Sequence, residues 1–141
     1  MGSPELAQYA DFYADHNARI GLTDKLSLWR DVSERLHQLT SEPEDVTYRE
    51  VTANGVPGIL VMPADSSTEH ILLHSHSGGS VTSSMWQERK AVGHLAKAAG
   101  SRSLPEGQHN FFLGAGKVPE IDAAVSEMGA WLRSKIGLRG A

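Results

Sequence analysis

Apolar residues recur every three or four positions through most of the first 40 residues, which is the spacing of an amphipathic helix. Residues 4–16 carry one such pattern, and a second runs from Thr23, a candidate N-cap, to Leu39. Pro43 ends this region. Each pattern leaves one apolar face, so we predict two short helices that pack onto the rest of the chain, with Trp29 in the core.

After Asp45 the pattern changes to the alternation that is typical of β-strands. Residues 46–51 are rich in β-branched side chains, Asn54 and Gly55 favour a tight turn, and the apolar residues 59–62 follow. These features predict a β-hairpin. The continuous apolar run at residues 71–73 predicts a third strand that is buried on both faces.

The third predicted strand leads into a glycine-containing loop and then a helix. Residues 70–79 read HILLHSHSGG. Ser84 fits an N-cap with Gln87 three positions later, and Gly100 fits a left-handed stop, so we predict a helix over the intervening residues. Adjacent glycines let backbone N–H groups point outward, and such donors can stabilise an oxyanion. A strand, a glycine loop and a helix in this order predict a site at the carboxyl end of the strand.

Residues 101–118 have no clear period and are rich in serine, glycine and proline. Pro119 then suits the first turn of a helix, because proline lacks the N–H that this position does not use. Apolar residues recur at three- and four-residue steps as far as Ile136, and Gly137 fits a helix stop. We predict a final helix with Trp131 in the core.

Composition narrows the possible partners. The chain has 141 residues, which suits one domain, and its net charge of −4 offers no basic surface for nucleic acid. No apolar run approaches the roughly 20 residues that span a bilayer, and residues 1–4 lack signal-peptide features, so a cytoplasmic location is expected. The absence of cysteine excludes disulfides, thiolate metal sites and a cysteine nucleophile.

Two stretches together resemble the hormone-sensitive-lipase-like esterases of the α/β-hydrolase superfamily. ILLHSHSGGSVTSS, followed by AVGHLAKAAG, is similar to the region of that family's His-Gly-Gly-Gly oxyanion loop, which follows its third strand. The tail GQHNFFLGAGKVPEIDAAVSEMGAWLRSKIGL resembles the C-terminal end, where the catalytic histidine precedes the last helix. The resemblance implies a partial α/β-hydrolase fold with N-terminal cap helices (residues 1–44) and an incomplete core (residues 45–141). That core would hold a β-hairpin, a further strand and flanking helices.

The resemblance also implies site residues. Gly78 and Gly79 would supply oxyanion-hole N–H groups, His109 would be the catalytic general base, and His76 and Ser77 would be structural residues of the loop. Ser77 stands where the family has glycine, and the loop accommodates serine only if this residue avoids positive φ. The implied activity is that of a carboxylesterase or lipase-like hydrolase acting on small, short-acyl esters.

The nucleophile of such an enzyme is absent from this sequence. Family members are longer, and between the helix and the histidine tail they carry a Gly-x-Ser-x-Gly nucleophile elbow, further parallel strands and the acid of the triad. No Gly-x-Ser-x-Gly pentad occurs here. The chain therefore either has an internal deletion near residues 102–105 or comes from a longer protein whose middle part is not in this sequence.

Two classes of function follow. Either the longer protein to which this chain corresponds is a serine carboxylesterase, or this chain is a catalytically inactive remnant that acts through self-association or a partner. An incomplete sheet leaves an unpaired strand edge and an apolar face, so we expect a homo-oligomer.

Loop serines and strand histidines offer further alternatives. A serine near the glycines could replace the nucleophile, but none lies on a strand-to-helix turn of the required pattern; the four are Ser77, Ser80, Ser83 and Ser84. Histidine nitrogens could bind zinc, but no nearby carboxylate obviously completes a ligand set; the histidines are His70, His74 and His76. We therefore expect neither a metal nor another cofactor.

Overall fold

The computed structural model of the protein describes residues 3–22, 24–78, 81–105 and 114–137, and for residues 101–105 it describes the backbone alone. The elements follow in the order α1 (Pro4–Gly21), α2 (Leu26–Glu34), a 3₁₀ helix (Arg35–Leu39), β1 (Val46–Ala53), β2 (Val56–Pro63), β3 (Ser67–His74), α3 (Met85–Ala99), β4 (Ser101–Pro105) and α4 (Pro119–Ile136).

The described strands form one mixed sheet in the order β1-β2-β4-β3. Strands β1 and β2 form the predicted hairpin, in which Ala53 lies opposite Val56 and both turn residues, Asn54 and Gly55, have positive φ. Strand β4 pairs antiparallel with β2 and parallel with β3. The sequence pattern did not predict β4, because Ser-Arg-Ser-Leu-Pro lacks an apolar alternation and the strand is defined by its backbone pairing.

The core lies between one face of this sheet and the helices. Helix α3 contributes more residues to this core than any other element, and its inward stripe of Val92, Leu95, Ala96 and Ala99 is buried. The core cluster comprises Leu36, Leu39, Ile59, Val61, Ala91, Val92, Leu95, Ala96, Ala115, Val118, Ile121 and Val125. Helix α1 packs against this cluster through Leu6, Tyr9, Phe12 and Tyr13.

The helix ends follow the local signals that were predicted. The Ser84 hydroxyl caps α3 by accepting a hydrogen bond from the Gln87 N–H at 3.2 Å, and Gly100 has the left-handed φ of 60°. Pro119 opens α4, and Gly137 ends it with a φ of 76°. Thr23, the predicted cap of the second helix, lies outside the described residues.

Two predictions about burial were wrong. Strand β3 is not buried on both faces: Leu72 packs against the core, whereas Ile71 is 65% exposed and Leu73 is 64% exposed. The reason is that α3 covers one face of the sheet and no described element covers the other at these positions. Trp131 is 61% exposed, since it lies off the buried stripe of α4 that contains Ile121 and Val125.

The second N-terminal helix also differs from its prediction. The apolar pattern predicted one helix as far as Leu39, but α2 ends at Glu34 and tightens into the 3₁₀ helix, which places Leu36 and Leu39 in the core. Trp29 is half-buried. Within the described ranges, no helix is both long enough and apolar enough to cross a membrane.

Candidate active site

The candidate site is the loop between β3 and α3, at the carboxyl end of β3. Gly78 lies at its centre with a φ of +106°, a conformation that strongly favours glycine. A Cβ added at Gly78 would overlap the backbone carbonyl and the hydroxyl of Thr82. The loop therefore requires glycine at this position for two separate reasons.

Hydrogen bonds to the carbonyl oxygen of Gly78 close the loop into a tight turn. This oxygen accepts bonds from the N–H of Val81 at 3.1 Å, from the N–H of Thr82 at 3.0 Å and from the Thr82 hydroxyl at 3.2 Å. The N–H of Gly78 has no acceptor among the described residues. Such an unused donor is available to a bound anion or to a developing oxyanion.

A buried glutamate holds the start of the loop. Glu88, in the first turn of α3, has no exposed surface. Its Oε1 accepts hydrogen bonds from the backbone N–H of Ser77 at 2.8 Å and from the Ser77 hydroxyl, and its Oε2 accepts one from His74 Nε2 at 2.9 Å. These three bonds join the end of β3 and the beginning of the loop to one carboxylate.

The residues just before Gly78 are consistent with a rigid loop. His76 is half-buried, and its Nδ1 donates a hydrogen bond to the carbonyl of Ser77 at 2.8 Å. Ser77 is buried and does not have positive φ, so a serine fits where the resembled family has glycine.

Helix α2 holds the far end of the loop. Arg30 Nε donates a hydrogen bond to the carbonyl of Val81 at 2.8 Å, and the Ser84 hydroxyl donates one to Glu34 Oε2 at 3.1 Å. The sequence pattern did not predict the loop contacts of Arg30, Glu34 and Glu88, because a charged residue on an amphipathic helix is ordinarily solvent-exposed. The one available signal was the acidic residue in the first turn of α3, which is commonly explained by the helix dipole alone.

Helix α3 is tied to the polypeptide that leads into β1 by an ion pair next to Glu88. Arg89 Nη2 donates to Glu42 Oε2 at 2.9 Å, and its guanidinium lies 4.6 Å from the ring centroid of Tyr48. The Arg89 bond lowers the pKa of the Glu42 carboxyl, whereas burial raises the pKa of the Tyr48 phenol. This pair helps to fix the helix that carries Glu88.

The predicted site residues divide into those the structure describes and those it does not. Gly78, Ser77 and His76 lie together in the loop. Gly79 and His109 lie outside the described residues, so their roles stay predictions. Of the alternative serines, Ser77 donates its hydroxyl to Glu88 and Ser84 caps α3 while donating to Glu34; Ser80 also lies outside the described residues.

The three histidines considered as zinc ligands have different hydrogen-bond partners. His70 contacts the Ser67 hydroxyl at 3.3 Å, His74 contacts Glu88, and His76 contacts the Ser77 carbonyl. In the ranges that the structure describes, no three histidine, aspartate or glutamate side chains are grouped closely enough to hold a metal ion.

The fold has counterparts among solved structures. An esterase from the bacterial hormone-sensitive lipase family is 22% identical and superimposes with a TM-score of 0.67 over 99% of this chain. A mutant of the esterase E40 is 22% identical, with a TM-score of 0.67 over 97%, and an esterase/lipase from an uncultured bacterium is 19% identical, with a TM-score of 0.60 over 97%. No protein-family model and no curated protein matches the sequence.

This likeness concerns the fold, and it confirms the predicted partial α/β-hydrolase fold. The chain spans 45% of each of the three solved structures named above. Strands β1 to β4 and the flanking helices are thus part of a larger architecture in those proteins.

Proposed function

We propose that this chain supplies the oxyanion loop and the general base of a carboxylesterase-type hydrolase that acts on small, short-acyl esters. The observation that carries the proposal is the unused N–H of Gly78, on a loop held at both ends, in a fold similar to that of esterases. Gly78 and Gly79 would donate to the oxyanion, and His109 would be the base.

Each group has a defined role in the reaction. A serine hydroxyl from residues outside this sequence attacks the ester carbonyl while His109 takes its proton, and the carbonyl oxygen becomes an oxyanion that accepts the glycine N–H bonds. The tetrahedral intermediate collapses, the C–O bond to the alcohol breaks, and His109 returns the proton to the alcohol. Water then hydrolyses the acyl-serine by the same sequence of steps.

The proposal predicts measurable hydrolysis even without that serine. An oxyanion hole and substrate binding by themselves retain about 10³- to 10⁴-fold catalysis over water when a triad member is removed. We therefore expect the purified chain to hydrolyse p-nitrophenyl acetate faster than the same concentration of free imidazole. In the absence of the serine, His109 would act as general base on the attacking water, so His109→Ala should lower this rate at least tenfold. His70→Gln, in a strand histidine without a proposed role, should not.

The result that would contradict the proposal is equal hydrolysis by the wild-type chain, His109→Ala and free imidazole. Circular dichroism of the wild-type chain, His109→Ala and His70→Gln shows whether each protein is folded. A loss of rate caused by unfolding can then be recognised.

A second candidate function, self-association of a catalytically inactive chain, is favoured by the outer edge of β3. Among the described strands, β3 has no neighbour on that side, and its Ile71 and Leu73 expose apolar side chains on the sheet face that no described element covers. The other outer strand, β1, instead exposes Thr47, Arg49 and Glu50, the kind of polar surface that protects an edge. A two-fold antiparallel pairing centred on Leu72 would place Ile71 opposite the second copy's Leu73 on the same face.

Sedimentation velocity tests this candidate. The wild-type chain should form a dimer whose fraction rises with concentration, and Leu73→Lys should abolish it. Val56→Lys is the matched control, because Val56 is 52% exposed but lies at the hairpin end of β2. A wild-type monomer at every concentration, or a dimer that survives Leu73→Lys, would exclude this pairing.

A further inference from the structure

We infer that Glu88 is a positioning residue, which sets the direction of the Gly78 N–H by holding Ser77; the catalytic consequence of this inference rests on the proposed function. Glu88 does not face the open side of the loop. It is fully buried beneath it, and its carboxylate accepts two hydrogen bonds from Ser77 and one from His74.

The peptide group between Ser77 and Gly78 explains how this effect reaches the donor. In a planar trans peptide, the carbonyl of Ser77 and the N–H of Gly78 point in opposite directions, so fixing one fixes the other. His76 Nδ1 holds that carbonyl at 2.8 Å, while Glu88 holds the backbone N–H and the hydroxyl of Ser77. Both restraints act at Ser77: His76 holds the carbonyl of this peptide, and Glu88 holds the N–H of the preceding peptide together with the Ser77 side chain. The orientation of the Ser77–Gly78 peptide is therefore restrained from its Ser77 side.

A carboxylate suits this position better than an amide. With a carboxylate all three partners donate, whereas glutamine would keep one oxygen for Ser77 and place its NH₂ against His74 Nε2, which accepts that bond only in the other tautomer. Bonds to a carboxylate are also stronger than bonds between neutral groups. The first turn of α3 adds a favourable dipole for negative charge.

The end of β3 is held by the same group, which links the loop to the sheet. His74 is the last residue of β3, and its side chain is only 11% exposed where it meets Glu88. Glu88 thus joins the sheet, the loop and α3 at one point. A shift of this carboxylate would move Ser77 and, with it, the turn that Thr82 closes on Gly78.

The test compares Glu88→Gln with the wild-type chain by amide hydrogen exchange, read residue by residue with NMR. The amides of Ser77 and Thr82, which are bonded to Glu88 and to Gly78, report on the loop, and the amide of Val125 in α4 reports on global stability. We expect exchange at Ser77 and Thr82 to become at least tenfold faster, with Val125 changed less than threefold. Glu127→Gln, at an exposed glutamate of α4, should change neither.

A second variant covers the case in which Glu88→Gln does not fold. Ser77→Ala removes the hydroxyl bond to Glu88 but keeps the backbone bond, so exchange at Thr82 should accelerate at least threefold. Unchanged loop exchange in every folded variant, or an equal acceleration at Val125, would overturn the inference.

Ester hydrolysis separates this inference from the proposed function. If the wild-type chain hydrolyses p-nitrophenyl acetate, Glu88→Gln should lower kcat at least tenfold with KM changed less than threefold, because the donor acts on the transition state. An unchanged kcat would overturn the positioning role. If the wild-type chain does not exceed free imidazole, the proposed function fails, and loop exchange alone decides whether Glu88 positions the loop.

Discussion

The carbonyl oxygen of Gly78 accepts hydrogen bonds from both the N–H and the hydroxyl of Thr82, at 3.0 and 3.2 Å. This relationship brings the backbone of Thr82 against the α-carbon of Gly78 and leaves no volume for a side chain there. It also turns the carbonyl inward and closes the loop on itself. The geometry of the candidate oxyanion donor thus depends on the tight approach of these two residues.

Gly78→Ala should destabilise the protein more than an ordinary glycine substitution at positive φ. We expect the free energy of unfolding to fall by about 3 kcal/mol or more, because backbone strain adds to overlap with Thr82. Gly55→Ala is the control: its φ is +86° but its Cβ would meet nothing within 4 Å, so we expect a loss of about 1 kcal/mol. Urea denaturation measures both values, and equal losses would contradict the role of Thr82.

Ser84→Ala should cost about 1 kcal/mol of stability, because it removes the N-cap of α3 and the bond to Glu34 of α2. Ser84→Asn should retain most of the stability, since asparagine also caps helices and its amide can donate to Glu34. Thermal unfolding followed by circular dichroism compares the variants. If Ser84→Asn were as unstable as Ser84→Ala, capping and the Glu34 bond would not account for the loss.

The stability of the protein should depend on the protonation of His16. Burial of this side chain in α1 lowers its pKa below the ordinary 6.5, an effect that a hydrogen bond with the backbone of Val32 partly opposes. The unfolded chain therefore takes up the proton first as the pH falls. The contribution of neutral His16 is fully present above pH 6.5 and is lost as the pH falls from there through the lowered pKa of the folded state.

The measurement is the free energy of unfolding between pH 8 and pH 5 for the wild-type chain and for His16→Gln. Other titrating groups contribute equally to both proteins, so the wild-type curve should fall more steeply below pH 6.5. Parallel curves over this range would show that His16 has the same pKa in the folded and unfolded states.

Gly129→Ala should destabilise the protein although alanine is the better helix former. A Cβ at this position would overlap the backbone of Ala98, where α4 approaches α3. We expect a net loss of about 2 kcal/mol, since the overlap outweighs a propensity gain of about 1 kcal/mol. Gly21→Ala, at the end of α1 with nothing within 4 Å, should instead stabilise by about 0.5 kcal/mol. Urea denaturation measures both, and stabilisation by Gly129→Ala would show that the helices move apart readily.

Local chemistry in the sequence alone determined the ends of α3 and α4 and the hairpin. Ser84 and Pro119 begin helices, and Gly100 and Gly137 end them, because capping and left-handed φ depend on residues within about one turn. The turn at residues 54–55 follows from the same kind of local preference. The resemblance of two stretches to esterases also led to the correct fold, because the solved structure of an esterase superimposes on 99% of this chain.

Only the tertiary structure decided what surrounds the glycine loop and which strand faces are covered. Ser77 and Glu88 are 11 residues apart, and Arg30 and Val81 are 51 apart, so their contacts exist only because α2 and α3 pack beside the loop. The apolar run that contains Ile71 and Leu73 has the composition of a fully buried strand, yet both side chains are exposed. The amino-acid composition of a strand shows which side chains favour burial. Actual burial requires a second structural layer packed on the strand, and the described residues provide such a layer on only one face of β3.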